Sequence, residues 1–149
     1  MNIQTNLIGA ALCISFAQSS PRKEVQKIML RGKDIAEKHV KIFTGVLLDN
    51  DTQSPVSADV SITNSTEEVF SDKLIISQMG LLTAMGTGNY ATAAAASQRS
   101  DLILNYERLF LEIAQYAKDI LYLMIQNEWL EQPPGTMDKV KLAKQKKQN

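Results

Sequence analysis

The sequence predicts an all-α four-helix bundle with a long crossover between its second and third helices. Three observations point there. Apolar residues recur at helical spacing through four segments, and aromatics make up only 6% of a chain rich in Ala, Leu, Ile and Met. The one long stretch without helical periodicity falls between the second segment and the third. At 149 residues the chain can bury one substantial core and is short for two ordinary domains. A single domain over residues 1–134 is therefore expected, followed by a flexible basic tail over 135–149.

The first helix is expected over about residues 2–18. Ile3, Leu7, Ala10, Ile14 and Ala17 form one stripe, and Ile8, Leu12 and Phe16 form a second on the opposite side. A helix apolar on two faces is either enclosed or meets another chain or domain. Ile8, Leu12 and Phe16 are thus the expected surface for self-association. Ser20 and Pro21 then supply an N-cap and a first-turn proline for a second helix over 21–48. Val25, Gly32, His39 and Val46, with Met29, Ala36 and Phe43, make its core stripe, while Lys27, Lys33, Asp34, Glu37, Lys38 and Lys41 turn outward.

Residues 49–70 contain Pro55 and a run of Ser, Thr, Asn and Asp without helical periodicity. A loop of this length needs a geometric reason. A helix of about 28 residues is roughly 42 Å long, and about twenty extended residues reach roughly 65 Å. The linker can therefore run the length of the bundle and leave helices two and three parallel, the crossover topology of ferritin-like folds. A short strand-like piece at Val60 to Ile62 is compatible with it.

Ser71 and Asp72 can cap the third helix, expected over 71–97. It carries no charge from Leu74 to Gln98, and Gly80, Gly86, Gly88 and Ala93 to Ala96 suggest the most enclosed helix, with small residues admitting close neighbours. Its length would suit a membrane span, but Gln78, Asn89 and several Ser, Thr and Gly residues favour a buried bundle helix. The fourth helix is expected over about 100–130, burying Leu102, Leu109, Ile113, Tyr116, Ile120, Leu123 and Asn127, with Gln132-Pro133-Pro134-Gly135 as its stop.

Sixteen basic residues balance sixteen acidic ones, so no positive field exists to gather nucleic acid or hold an anionic membrane. The tail lysines Lys139, Lys141, Lys144, Lys146 and Lys147 lack interleaved aromatics and read as a solvated terminus. The lone Cys13 cannot form an intramolecular disulfide, which fits a reducing cytoplasm. Residues 7–17 resemble a signal-peptide apolar region but have no basic residue before Arg22.

A carboxylate-bridged two-metal bundle needs a Glu from each of two helices and a Glu-x-x-His pair from each of the other two. There is one histidine here; Glu37 lies on a different face from His39, and Glu112 has no histidine three residues on. No metal ligand set, cofactor site or catalytic residue is expected. His39, on the buried stripe, reads as a neutral core imidazole held by one polar partner, with a remnant ligand as the alternative. A Cys13 and His39 nucleophilic pair lacks a third orienting group. Gly86-Thr87-Gly88-Asn89-Tyr90-Ala91 matches the dinucleotide fingerprint as a string but lies inside a helix, where close packing is the expected reason for the glycines.

Several stretches resemble a specific family. They are Arg31-Gly32-Lys33-Asp34 through Lys38-His39-Val40, Phe70-Ser71-Asp72-Lys73-Leu74, and Met85-Gly86-Thr87-Gly88-Asn89-Tyr90. Helix four adds Arg99-Ser100-Asp101-Leu102, Tyr106-Glu107-Arg108-Leu109 and Trp129-Leu130-Glu131-Gln132-Pro133-Pro134. The chain resembles the family designated domain of unknown function 3231, ferritin-like helical proteins of Bacillus and related spore formers, over nearly all of residues 7–134. It resembles the second of two tandem bundles, which implies packing against a sister bundle through Ile8, Leu12 and Phe16. The resemblance implies a non-catalytic structural or interaction protein of a spore-forming bacterium, with sporulation or stress as its setting. The alternative is a degenerate ferritin-like protein that binds a metal or small ligand between its helices.

Overall fold

The computed structural model describes residues 2–53, 55, 62–130 and 138–139. They form α1 (Asn2–Ser19), α2 (Lys23–Leu48), α3 (Asp72–Ala96) and α4 (Ser100–Gln126), with no strand among the described residues. Most of the Val60 to Ile62 piece, the Pro133-Pro134 stop and most of the basic tail lie outside them.

Two apolar clusters give the topology. The first gathers Cys13 and Phe16 from α1, Val25 and Met29 from α2, Ile75, Ile76 and Met79 from α3, and Tyr116, Ile120 and Leu123 from α4. The second gathers Ile3 and Leu7, Phe43, Tyr90, and Leu109 and Ile113. The starts of α2 and α3 thus share one end of the bundle with the finishes of α1 and α4. Hence α2 and α3 run parallel, α1 and α4 run parallel, and the finish of α2 and the start of α3 lie at opposite ends of the bundle. α1 packs closely on α2 and α3 on α4, while the α2–α4 and α1–α3 seams are thinner. Met29, Ile75, Ile76 and Ile120 are almost wholly buried. Each contributes about 1.5–3 kcal/mol by leaving water.

The ends of the helices follow from local chemistry. Ser71 caps α3, its hydroxyl accepting from the Leu74 amide at 3.3 Å. Ser20 does not cap α2. Its hydroxyl donates to Asp72 Oδ1 at 2.6 Å, so α2 starts two residues after Pro21. Asp72 also pairs with Arg22 Nε at 3.3 Å; Arg22 in turn donates to Asn127 Oδ1 at 2.7 Å and lies 5.1 Å from the Trp129 ring centre. This clamp ties the α1–α2 junction to the start of α3 and the finish of α4. α4 ends at Gln126, short of the expected proline stop. Trp129 donates its amide to the Met124 carbonyl at 2.8 Å, and Glu128 donates to Ile125 at 3.1 Å with φ of 57°. That is a Schellman turn with a non-glycine residue in the left-handed position. Asp51, φ 52°, ends α2 in the same way.

Three expectations are corrected. α3 is not the most enclosed helix: Leu74, Leu81 and Met85 are 52%, 59% and 59% exposed. Lack of charge and lack of solvent are different properties, and the described residues cover only one side of α3. Nor is the Ile8, Leu12 and Phe16 stripe an open face. Phe16 is buried and meets Phe70 of the crossover edge-on at 6.2 Å, and Leu12 packs on the first cluster, leaving Ile8 alone well exposed. Close packing also fails to explain Gly86 and Gly88, whose added Cβ would meet, respectively, one atom at 3.9 Å and nothing within 4 Å.

The glycine that packing does require is Gly32. A Cβ there would lie 2.3 Å from the Tyr116 hydroxyl and 2.9 Å from Cys13 Sγ. Its absence lets Tyr116 reach the Ile28 carbonyl of α2, to which it donates at 3.1 Å. Gly9 has open space instead. We expect Gly32→Ala to cost about 1–3 kcal/mol by overpacking, and Gly9→Ala to stabilise by about 0.5–1 kcal/mol through helix propensity. Urea denaturation measures both; equal effects at the two sites would contradict this packing.

Candidate functional site

The core stripe of α2 carries one imidazole, and the structure gives it partners from the other helices. His39 is fully buried. Its Nε2 lies 3.0 Å from Glu112 Oε2 on α4, and its Nδ1 lies 2.9 Å from the Tyr90 hydroxyl on α3. Asn6 of α1 donates to the same hydroxyl at 2.7 Å. At the other end Lys38 Nζ donates to both Glu112 oxygens, at 2.8 and 3.0 Å. One chain of polar contacts, Asn6–Tyr90–His39–Glu112–Lys38, therefore touches all four helices.

The partners assign the proton positions. A carboxylate only accepts, so Nε2 carries the imidazole proton and donates to Glu112; Nδ1 is then an acceptor, and Tyr90 donates to it while accepting from Asn6. Burial lowers the His39 pKa below the usual histidine value and outweighs the opposing pull of Glu112. Burial works against the charged form of Glu112 too, but the hydrogen bonds from Lys38 and His39 together hold its carboxyl below the ordinary range. Burial pushes the Tyr90 hydroxyl up to about 12. The arrangement is thus a neutral imidazole and a neutral phenol joined to a carboxylate that Lys38 balances at the surface. Around it, Tyr90 packs against His39, Phe43 and Tyr106 with ring centres 5.6, 5.7 and 5.9 Å away.

Cys13 is not brought to His39. Both ring nitrogens of His39 are engaged elsewhere, and Cys13 sits by Tyr116 in the first cluster. Burial pushes its thiol up to about 12, far from an activated thiolate. The residues do not fit a two-metal centre either. Glu112 is already held by Lys38 and His39, and no group of three or more His, Cys, Asp or Glu among the described residues could share an ion. The fingerprint string lies within α3, where no strand turns into the helix among the described residues. Beside the network, the thin α1–α3 seam opens into a cleft of about 370 Å³, lined by residues such as Ile8, Leu12, Met79, Leu82, Asn89 and Tyr90. No helix among the described residues is long and apolar enough to cross a membrane.

Sequence reasoning singled out His39 but gave it one partner where there are two. It passed over Asn6 and Tyr90, and it turned Lys38 to solvent without its link to Glu112. The available signal is weak: a polar Asn between the apolar positions of α1, and a Tyr at the end of a glycine-containing helical string.

The fold and site together define a crossover four-helix bundle whose interior holds a closed hydrogen-bond chain. The chain belongs to the family described as protein of unknown function DUF3231, whose pattern matches residues 1–142. Among solved structures it is similar to a candidate spore coat protein from Bacillus halodurans, with a TM-score of 0.82 at 17% identity, covering 92% of this chain and 89% of that one. At that identity the likeness concerns the fold. No curated protein matches the chain.

Removing the Tyr90 hydroxyl leaves Asn6 and His39 Nδ1 short of a partner, so Tyr90→Phe is expected to cost about 1–3 kcal/mol in chemical denaturation. A second consequence concerns pH. Folded His39 is harder to protonate than the unfolded side chain, whose value is near 6.5. Its contribution to stability is therefore complete above that pH and is lost as pH falls through it and below, with a slope of at most about 1.4 kcal/mol per pH unit for one proton. Thermal unfolding should show this slope in the wild type and a shallower one in His39→Gln. Identical slopes would remove His39 from the linkage.

Proposed function

We propose that this protein is a non-catalytic structural or interaction subunit of a spore-forming bacterium that pairs with a second copy through the outer face of α3. The observation that carries the reading is an uncharged, exposed apolar stripe. Leu74, Leu81, Gly88 and Ala95 recur every seven residues on α3, all exposed, with Gln78, Met85 and Thr92 between them. This is the spacing of a helix–helix seam. No charge falls between Lys73 and Arg99, so two copies can meet along the stripe without like-charge repulsion. The small residues Ala84, Gly88 and Ala91 favour close approach of the two backbones.

The ferritin-like topology supplies a scaffold, and its interior position is used for internal hydrogen bonding. That supports a role in binding other surfaces over one in chemistry. The candidate spore coat protein with the same fold agrees with a structural setting. Cys13, buried and free, suits synthesis and residence in a reducing cytoplasm.

Size-exclusion chromatography with light scattering tests the reading. The wild type should elute at twice the chain mass, and Leu74→Glu with Leu81→Glu should elute as a monomer with an unchanged circular dichroism spectrum. A monomeric wild type at high micromolar concentration would overturn it.

A further inference from the structure

The α1–α3 cleft has features that select a ligand. Its volume, about 370 Å³, falls in the range of small-molecule sites. It exists because the two helices separate while small residues leave their walls bare: an added Cβ at Gly9 would meet nothing within 4 Å. Among the described residues, no Lys, Arg, Asp or Glu lines it. A charged ligand would lose its water there without gaining a counter-charge, which is strongly unfavourable.

The lining is also graded along the axis. At the end shared with the first cluster it presents Leu12, Met79 and Leu82, and the polar groups there are spent internally. Tyr116 donates to the Ile28 carbonyl and Thr83 to the Met79 carbonyl. At the other end stand Asn2, Asn6 and Asn89. The amides of Asn2 and Asn6 donate to Tyr106 and Tyr90. The Asn89 side chain bonds to no described residue and is only partly buried, which leaves it able to meet a ligand. Leu12 and Asn2 are separated by about 15 Å along α1 at 1.5 Å per residue.

We propose that the cleft between α1 and α3 binds one molecule of an uncharged, straight-chain amphiphile, its apolar chain along Leu12, Met79 and Leu82 and its hydroxyl or amide head at Asn89. Medium-chain alcohols and monoacylglycerols have that chemistry. The site borders the outer stripe of α3 at Met85, whereas Leu74 and Leu81 lie outside it.

Isothermal titration calorimetry of the full chain with 1-decanol, decanoate and decyltrimethylammonium, each below micelle-forming concentration, tests the proposal. One decanol should bind per chain, and both ions at least tenfold more weakly. Gly9→Leu should fill the cleft and abolish decanol binding without lowering the melting temperature, whereas Gly9→Ala should retain it. Asn89→Leu should weaken decanol binding several-fold at unchanged stoichiometry. Absence of decanol binding, equal binding of all three probes, or binding unaffected by Gly9→Leu would each overturn the proposal. So would decanol binding that appears only on dilution to monomer, because the cleft would then belong to a second copy.

Discussion

The structure depends on how one buried imidazole is satisfied. His39 sits at the centre of α2 with no exposure, and a ring there with unmet nitrogens would cost as much as several apolar contacts supply. The remedy draws on every helix: a carboxylate from α4, a phenol from α3, and an amide from α1 behind the phenol. These bonds fix which residues face one another along the bundle, a choice that apolar packing alone leaves loosely specified. Lys38 completes the arrangement by holding the carboxylate charge at the surface. The polar side chains of this part of the interior are thereby committed to one another.

That commitment shapes the remainder of the molecule. The network draws Tyr90 towards α2, and the thin α1–α3 seam beside it leaves the cleft. The far end of the bundle is held separately by the Ser20, Arg22, Asp72 and Asn127 contacts and by Arg22 over Trp129. Between these two polar fastenings, the apolar clusters supply most of the stabilisation. The outward face of α3 is left without a neighbour among the described residues.

Much of the architecture was legible in the sequence because periodicity and length are local properties. The amphipathic stripes of α2 and α4 appear in the structure almost residue by residue, and the crossover follows from comparing the reach of the linker with the length of a helix. What escaped depends on contacts between distant segments. The uncharged composition of α3 suggests enclosure, although composition cannot distinguish a helix buried by its own chain from one awaiting another surface. Periodicity puts Phe16 on an outer stripe, and a polar linker gives no sign that Phe70 returns to cover it. The glycines differ for the same reason: Gly32 faces a tyrosine from α4, whereas a Cβ at Gly86 would touch one atom loosely and one at Gly88 none. At the candidate site, His39 was found from its place on the stripe. Its partners were not, because each comes from a different helix.

The direct test is the protonation state of His39, read from the long-range ¹⁵N–¹H correlation pattern of its ring at neutral pH. A neutral imidazole with its proton on Nε2 and an accepting Nδ1 is the predicted result. An imidazolium, or a ring protonated on Nδ1 alone, would contradict the hydrogen-bond chain on which this account of the fold rests.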